Sequence, residues 1–542
     1  MSETPPSDTT IDVRALVEER RRIEAIALAE KEKSDAPEIT PRKIKQCLQS
    51  NELGDGTLYA ALHRGKYLYS KNTAQWLAWR GHHWDLDIMD EAFAAVEDVA
   101  QHYLEAGHSL KDEIEQLQKD DKTDESKRLR ELQKAYYGRV KKLRSVSGVG
   151  NCLTYSHRIK EPIAIKGDEI DTNPWLLAFT NGVLDLRTGK LRDGRPEDYL
   201  LKAVPHEWKG IDCPAPNFLA YLHSSLDGPP ELNADAREEY SKQLVSFVLR
   251  ALGYGITGLT TEHMFLVFNG PGGRNGKGIL VETLRHVFGP LAGPIPAEML
   301  LDQGRAKSSS GPSPDVMALK GLRLAFASET DEGRRFSPGQ VKWYSGGDTL
   351  TGRLPHDKRN TCFDPTHTLI LLTNNLPHAP GDDFAFWDRL KLVPFLYSFV
   401  SNPDPAKPNQ KKRNAGLREK LKEEASGIAA LIVRGCLEWQ RDGLSPPSIV
   451  TSATEEYRMD EDTITQFVEE CCIVTSGSDV KAADIYKAFA AWYQENINGD
   501  EKRTPKQKKF GQMLTKQFKK EKIGGVVKYF GLQLNSESQE SF

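Results

Sequence analysis

The stretch His263–Gly289, HMFLVFNGPGGRNGKGILVETLRHVFG, decides how this 542-residue chain is read. Its apolar beginning reads as a buried strand, its middle as a glycine-rich turn and its end as a helix. A turn of this kind lets backbone N–H groups surround phosphates at the helix N-terminus. Gly270, Gly272, Gly273, Asn275, Gly276 and Gly278 supply the loop, and Lys277 is placed to reach the β- and γ-phosphates of a nucleotide. Two departures from the common phosphate-loop pattern stand out. Pro271 occupies the position of the first glycine, and Gly278 replaces the hydroxyl residue that ordinarily binds Mg²⁺. Taken alone, the stretch also reads as a glycine-rich turn with an ordinary lysine.

Three later segments complete a constellation. LRLAFASETDE (322–332) runs from an apolar strand into Glu329, Asp331 and Glu332. A strand-end acid holds Mg²⁺ and orients the attacking water, so Glu329 and Asp331 are the expected metal ligands and catalytic carboxylates. HTLILLTNN (367–375) ends in Thr373, Asn374 and Asn375, where an amide can hydrogen-bond a γ-phosphate. FAFWDRLKLVPF (384–395) places Arg389 just before a further strand. An arginine there can act in trans on a neighbouring subunit's nucleotide, while as an isolated residue it also reads as an ordinary salt-bridge partner. The four apolar runs HMFLVFNG, LRLAFASE, HTLILLTNN and LKLVPF suit buried strands of a largely parallel sheet.

Composition bounds the rest. Seventy-three Lys and Arg against 77 Asp and Glu give a net charge of −4, so bulk charge does not announce a polyanionic partner. Hydrophobic residues make up 38% of the chain, enough for several cores, and the length predicts about three to four domains. No run approaches the ~18 apolar residues of a membrane span. The first residues, MSETPPSDTTID, lack the pattern of a secretory signal. Seven cysteines form no C-x-x-C pair, which argues against a zinc site or a disulfide framework. These features predict a soluble protein of a host-cell cytoplasm.

The joint order of loop, acid, polar strand tip and arginine resembles the superfamily 3 helicases, specifically the phage and plasmid primase-helicase family related to poxvirus primase-helicases. NGKG is similar to that family's loop and LKGLRLAFASETDEG to its acidic strand. KWYSGGDTLTGRLPHDK and LLTNNLPHAPGDDFAFWDRLKLVPF are similar to the segments that follow, and YLYSKNTAQWLAWRGHHW and FTNGVLDLRTGKLR to the small domain that precedes the core. The resemblance covers roughly residues 50–475. It implies an AAA+-like α/β core with a preceding α+β domain, ATP and Mg²⁺ as cofactors, Asn374 as sensor, and assembly into a ring, usually a hexamer. It implies a channel hairpin within VKWYSGGDTLTGRLPHDKRNTCF, with Lys342, Arg353, His356, Lys358 and Arg359 toward DNA. Only 50–60 residues precede the region of resemblance, which argues against primase activity; a separate primase or other replication proteins are expected partners.

The expected organisation is a helix and linker at 1–50, a helicase-associated domain at 51–235, the ATPase core at 236–400, a helical extension at 401–460, a winged-helix-like domain at 461–535 and a disordered tail at 536–542. SNPDPAKPNQKKRN (401–414) reads as a basic boundary segment. In the C-terminal unit, a basic helix over KKFGQMLTKQFKK (508–520) should precede a strand pair over 524–534. Residues 501–522 hold nine Lys or Arg and two Glu, a local charge of +7. Lys508, Lys509 and Lys516 there are expected to meet duplex phosphates; a solubilising basic face is the rival. The function expected is ATP-driven unwinding of replication DNA for a phage, plasmid or integrated element. An origin-binding initiator without processive unwinding, and a nucleotide-driven defence or scaffold ring, remain open beside it.

Overall fold

The computed structural model describes residues 39–270, 272–304, 311–328, 333–355, 360–496, 504–515 and 517–535. Glu329, Asp331, His356, Lys358, Arg359 and Lys516 therefore lie outside the described residues, as does the expected tail.

The chain forms two compact units. The first runs to Ile170 apart from Gly81–His83. Its three short strands Tyr67–Ser70, Gln75–Trp79 and Trp84–Leu86 arise from the tryptophan-rich stretch, and Ala164–Ile165 adds a fourth in parallel. Helices Val96–Lys119 and Thr123–Leu143 form a helical hairpin, which the charged sequence at about 88–145 predicts. Their apolar faces meet Tyr59 and Cys152, and Tyr59, Val99, Tyr103 and Cys152 are fully buried.

The second unit contains a sheet of five parallel strands: β1 (Phe265–Asn269), β2 (Ala292–Ile295), β3 (Leu324–Ser328), β4 (Thr368–Thr373) and β5 (Leu390–Pro394). Their order across the sheet is β2-β3-β4-β1-β5. The four expected apolar runs are β1, β3, β4 and β5. They lack polar alternation because both faces are covered, as in parallel sheets generally. Leu266, Phe268, Ile370, Leu372 and Val393 enter one core, beneath helices Ala234–Gly255, Ala425–Asp442 and α1 (Lys277–Phe288). The alternate residues Phe265, Val267, Leu369, Leu371 and Leu392 enter another, with Val341, Tyr344, Phe386 and Trp387. Adjacent side chains on a strand point to opposite faces, so one run of apolar residues serves two cores. The strand β2 has the sequence Ala-Gly-Pro-Ile and was not among the expected runs. Its Pro and Gly hide it, and they are tolerated because it is an edge strand.

Ahead of this sheet, Leu176–Phe179, Gly182–Asp185, Lys190–Arg192 and Ala203–Val204 make a second, four-stranded sheet. The sequence of 178–204 predicts a β-hairpin with its turn at Thr188-Gly189, and that turn joins two of these strands, with Gly189 at φ 69°.

At the C-terminal end, helix Thr463–Cys471 is followed by strand Cys472–Lys481, helices Ala482–Asn496 and Gln507–Leu514, and the hairpin Lys519–Ile523 with Val526–Leu534. Two expectations are corrected here. The basic helix does not reach residue 520: it ends at Leu514, and Lys519 and Lys520 lie on a strand. Gly524 and Gly525 both take positive φ, and this tight turn propagates pairing back to Lys519↔Phe530. Likewise the first helix, which the sequence predicts over about 463–475, stops at Cys471, because Ile473, Val474 and Thr475 enter a strand that pairs with Val526–Leu534.

No helix among the described residues is long and apolar enough to cross a membrane.

Candidate functional site

Because all five strands run the same way, their carboxyl ends share one rim, where ligands of open α/β sheets gather. β1 delivers the glycine-rich loop there. Thr373, at the end of β4, is in register with Asn269, and Ser328, at the end of β3, with Leu372. A cleft of about 790 Å³ opens at this rim. The loop from Gly273 to Ile279, Ser328 and Leu372–Asn375 line it, and so do Phe399, Arg413, Asn414, Ala415 and Arg418.

The loop is held by interactions that need its particular residues. Gly276 takes φ 90°, and a Cβ there would lie 3.0 Å from Ser225 Oγ. At Gly270 a Cβ would meet Asn275 Cγ at 2.6 Å. The Tyr221 hydroxyl donates to the Gly276 carbonyl at 3.0 Å. Asn275, 2% exposed, donates through Nδ2 to the carbonyls of Phe395 (3.2 Å) and Tyr397 (3.1 Å). That bracing turns Asn275 Oδ1 toward Lys277.

Lys277, the first residue of α1, is 7% exposed. Its ammonium donates to Gly270 O at 2.9 Å, Asn275 Oδ1 at 3.3 Å and Asn374 Oδ1 at 2.9 Å. All three acceptors are neutral, and among the described residues no carboxylate pairs with this cation. Burial without a counter-charge lowers its pKa to about 8. A buried cation held by neutral oxygens at the first turn of a helix is a receptor for a polyanion.

The lowered pKa makes a prediction. At pH 8 the free site holds its proton about half the time, and an anion seated on the ammonium raises the pKa again. Nucleotide binding near pH 8 should therefore take up about half a proton, and affinity should fall as pH rises through that value. Calorimetry in buffers of different ionisation enthalpy measures the uptake. A buffer-independent heat would rule out Lys277 as the responding group.

The residues expected from sequence divide into three groups. Gly273, Asn275, Gly276, Lys277, Gly278 and Asn374 come together at the cleft, with Gly270 directly behind Lys277. Glu329 follows Ser328 at the same rim in sequence, but lies beyond the described residues, as does Asp331. The oxygen donors that are described there, Ser328 and the Thr373–Asn375 tip, suit a hard cation such as Mg²⁺.

Arg389 sits elsewhere. It ends helix Phe384–Arg389, and its Nη1 donates to Ala385 O at 2.7 Å. The next residue, Leu390, is in register with Phe265, whereas Pro394 is level with Asn269. Arg389 is thus at the amino rim of β5, roughly 17 Å along the sheet from the level of Asn269, where the loop begins.

The expected DNA contacts are dispersed. Leu350–Gly352 and Thr361–Phe363 do pair as an antiparallel hairpin, and Arg353 begins its connecting segment. Lys342 belongs to helix Pro338–Ser345, and its ammonium lies 2.7 Å from Asp383 Oδ2. Lys508 is exposed on helix Gln507–Leu514, which also carries Lys509.

Phe399, Arg413 and Arg418 were not expected at the site. Only Arg413 had a signal in the sequence, the basic run Lys411-Lys412-Arg413, which read as part of a boundary segment. That segment instead forms strand Gln410–Lys412, paired in parallel with Ser398–Val400.

Residues 56–226 match the family described as "D5 N terminal like". A "Putative helicase" of Acanthamoeba polyphaga mimivirus is 29% identical over 341 residues, covering 61% of this chain and 34% of that protein. A "Putative primase" of African swine fever virus (strain Badajoz 1971 Vero-adapted) is 26% identical over 354 residues, covering 61% of this chain and 34% of that protein. The chain thus spans about a third of the length of these relatives, and it is their distant homologue. Among solved structures, the apo C-terminal region of NrS-1 aligns at 12% identity and a TM-score of 0.32, over 60% of this chain and 78% of that one.

Proposed function

We propose that this protein is a ring-forming ATPase that translocates on DNA and unwinds it, of the superfamily 3 type. The observation that carries the reading is Lys277, a buried ammonium among neutral oxygens at the junction of a glycine-rich loop and a helix. In this reading Lys277 grips the β- and γ-phosphates and the Asn374 amide senses the γ-phosphate. Glu329 is the base that orients the lytic water, with Asp331 beside it. Mg²⁺, held by these carboxylates, would neutralise charge on the phosphates. The AAA+-like order of the five strands supports the assignment, as does the distant homology to a viral protein described as a helicase.

A ring is favoured because Arg389 is too far from the loop of its own chain to reach the same nucleotide. The hairpin Leu350–Phe363 would then face the channel with Arg353, His356, Lys358 and Arg359. The C-terminal unit would load the ring as a winged-helix-like module, through Lys508, Lys509 and Lys516 on duplex phosphates.

A second reading, an origin-binding initiator without processive unwinding, draws on that basic C-terminal unit. The exposed strand Lys519–Ile523 adds Lys519, Lys520 and Lys522 to it. Strand displacement by the full chain on forked DNA separates the two. ATP-dependent displacement that a Glu329→Gln variant loses, although it still binds ATP, is the expected result. ATP hydrolysis and tight duplex binding without displacement would establish the initiator instead.

A further inference from the structure

Lys277 and its loop account for one part of the cleft lining; a second wall is not accounted for by them. That wall comes from residues 398–418, which reach the glycine-rich loop by direct hydrogen bonds. Ser398 Oγ donates to Gly273 O at 3.1 Å, and Phe399 N donates to Arg274 O at 2.9 Å. The ribbon's second strand follows in parallel, and Arg413 N donates to Val400 O at 2.8 Å. The loop and the wall are therefore one hydrogen-bonded assembly, although more than 120 residues separate them in sequence.

The cations of this wall have different fates. Lys411 is a structural pin: its Nζ lies 2.7 Å from Asp227 Oδ2 and 2.8 Å from Ser224 O, and 3.9 Å from the centre of the Tyr397 ring. Arg418 Nε pairs with Glu282 Oε2 at 3.0 Å, across to α1. Arg413 also lines the cleft, but no side-chain hydrogen bond or ion pair engages it among the described residues. Phe399 brings an aromatic ring to the same lining. A cleft lined by a buried ammonium, by a second cation unpaired among the described residues and by an aromatic residue has the components for more than a phosphate chain. Its volume of about 790 Å³ also lies in the range of pockets that enclose a whole small ligand, roughly 300–1,000 Å³.

We propose that Phe399 and Arg413 form the nucleoside-side half of the site, in cis: the ring stacks on the base, and the guanidinium engages the α- or β-phosphate. The proposal rests on reading the cleft as a nucleoside triphosphate site. It divides recognition between two parts of the chain, with the loop holding the distal phosphates and the ribbon the rest of the ligand. Stacking is tolerant of which base is present, because every base has a π-face. The ring therefore adds affinity for a nucleoside without choosing among bases.

The test measures equilibrium binding of ATP and of inorganic tripolyphosphate to the full chain by calorimetry, without Mg²⁺ so that hydrolysis does not intervene. Phe399→Leu keeps the apolar bulk and removes the π-face. It should weaken ATP binding about tenfold and leave tripolyphosphate binding unchanged. Phe399→Tyr should restore ATP binding. Arg413→Ala should weaken both ligands about tenfold or more, with partial recovery in Arg413→Lys. Lys277→Ala serves as the reference and should lose both.

If Lys277→Ala binds ATP as the wild type does, the triphosphate-site reading itself fails. If Lys277→Ala loses binding while Phe399→Leu and Arg413→Ala both bind ATP normally, that reading stands and the nucleoside-side assignment is overturned. Equal weakening of ATP and tripolyphosphate by Phe399→Leu would reduce Phe399 to a structural part of the ribbon and overturn the stacking role.

Discussion

Lys277→Ala is expected to abolish nucleotide hydrolysis and to reduce ATP affinity by about two to three orders of magnitude, on the scale of losing one preorganised charge-stabilising group. The ammonium is the only charged group shown among its three acceptors, Gly270 O, Asn275 Oδ1 and Asn374 Oδ1. Its removal takes away the one buried cation at the junction of loop and helix among the described residues, where β- and γ-phosphate oxygens would otherwise be received. The fold should survive. Burying this ammonium already costs free energy, as its pKa of about 8 records, so deleting it offsets the loss of its hydrogen bonds. The melting temperature should stay within a few degrees of the wild type. Binding measured with a fluorescent ATP analogue, beside a thermal melt, makes the check. A folded variant with near wild-type turnover would end the ATPase assignment.

The centre of this site was legible because its chemistry is local. A glycine-rich turn between an apolar run and a helix requires neighbouring residues only, and the polar tip Thr373–Asn375 ends another apolar run. That Lys277 and Asn374 touch across 97 residues of sequence follows once both strands are placed side by side in one parallel sheet. What escaped was set by pairing between distant segments. The ribbon that carries Phe399 and Arg413 looks like a Pro-rich connector, because its strands are three residues each and show no period. Strand Cys472–Lys481 depends on a partner more than 40 residues away. Phe510, Leu514 and Phe518 keep helical spacing past the end of helix Gln507–Leu514, yet the hairpin turn at Gly524-Gly525 claims Lys519 and Lys520 for a strand. Lys342 shows a further limit. The resemblance placed it toward DNA, but nothing nearby in sequence announces Asp383, its partner across 41 residues.

Arg389→Ala should bind ATP with little change and lose about three orders of magnitude or more in turnover, the lower end of what an arginine supplied in trans contributes. The geometry makes the trans requirement specific. Within one chain the guanidinium lies at the amino rim of the edge strand β5, and the phosphate loop at the carboxyl rim, so a cis contact would require the sheet itself to rearrange. Arg389 is also incompletely used inside its own chain. Nη1 donates to Ala385 O, while Nε, though buried, has no hydrogen-bond partner among the described residues. A neighbouring subunit's nucleotide placed against this edge would meet a preoriented arginine, and its developing negative charge would be offset only in the assembled ring. Mixing supplies the decisive measurement. Arg389→Ala subunits keep the loop, and Lys277→Ala subunits keep the arginine. In a random equimolar ring, about a quarter of the interfaces then pair an intact loop with an intact arginine. Two inactive preparations should therefore recover a substantial fraction of wild-type turnover when they are dissociated and reassembled together. Turnover that stays at the level of the separate variants after verified co-assembly would exclude the trans role, and with it the argument that the active form must be a ring.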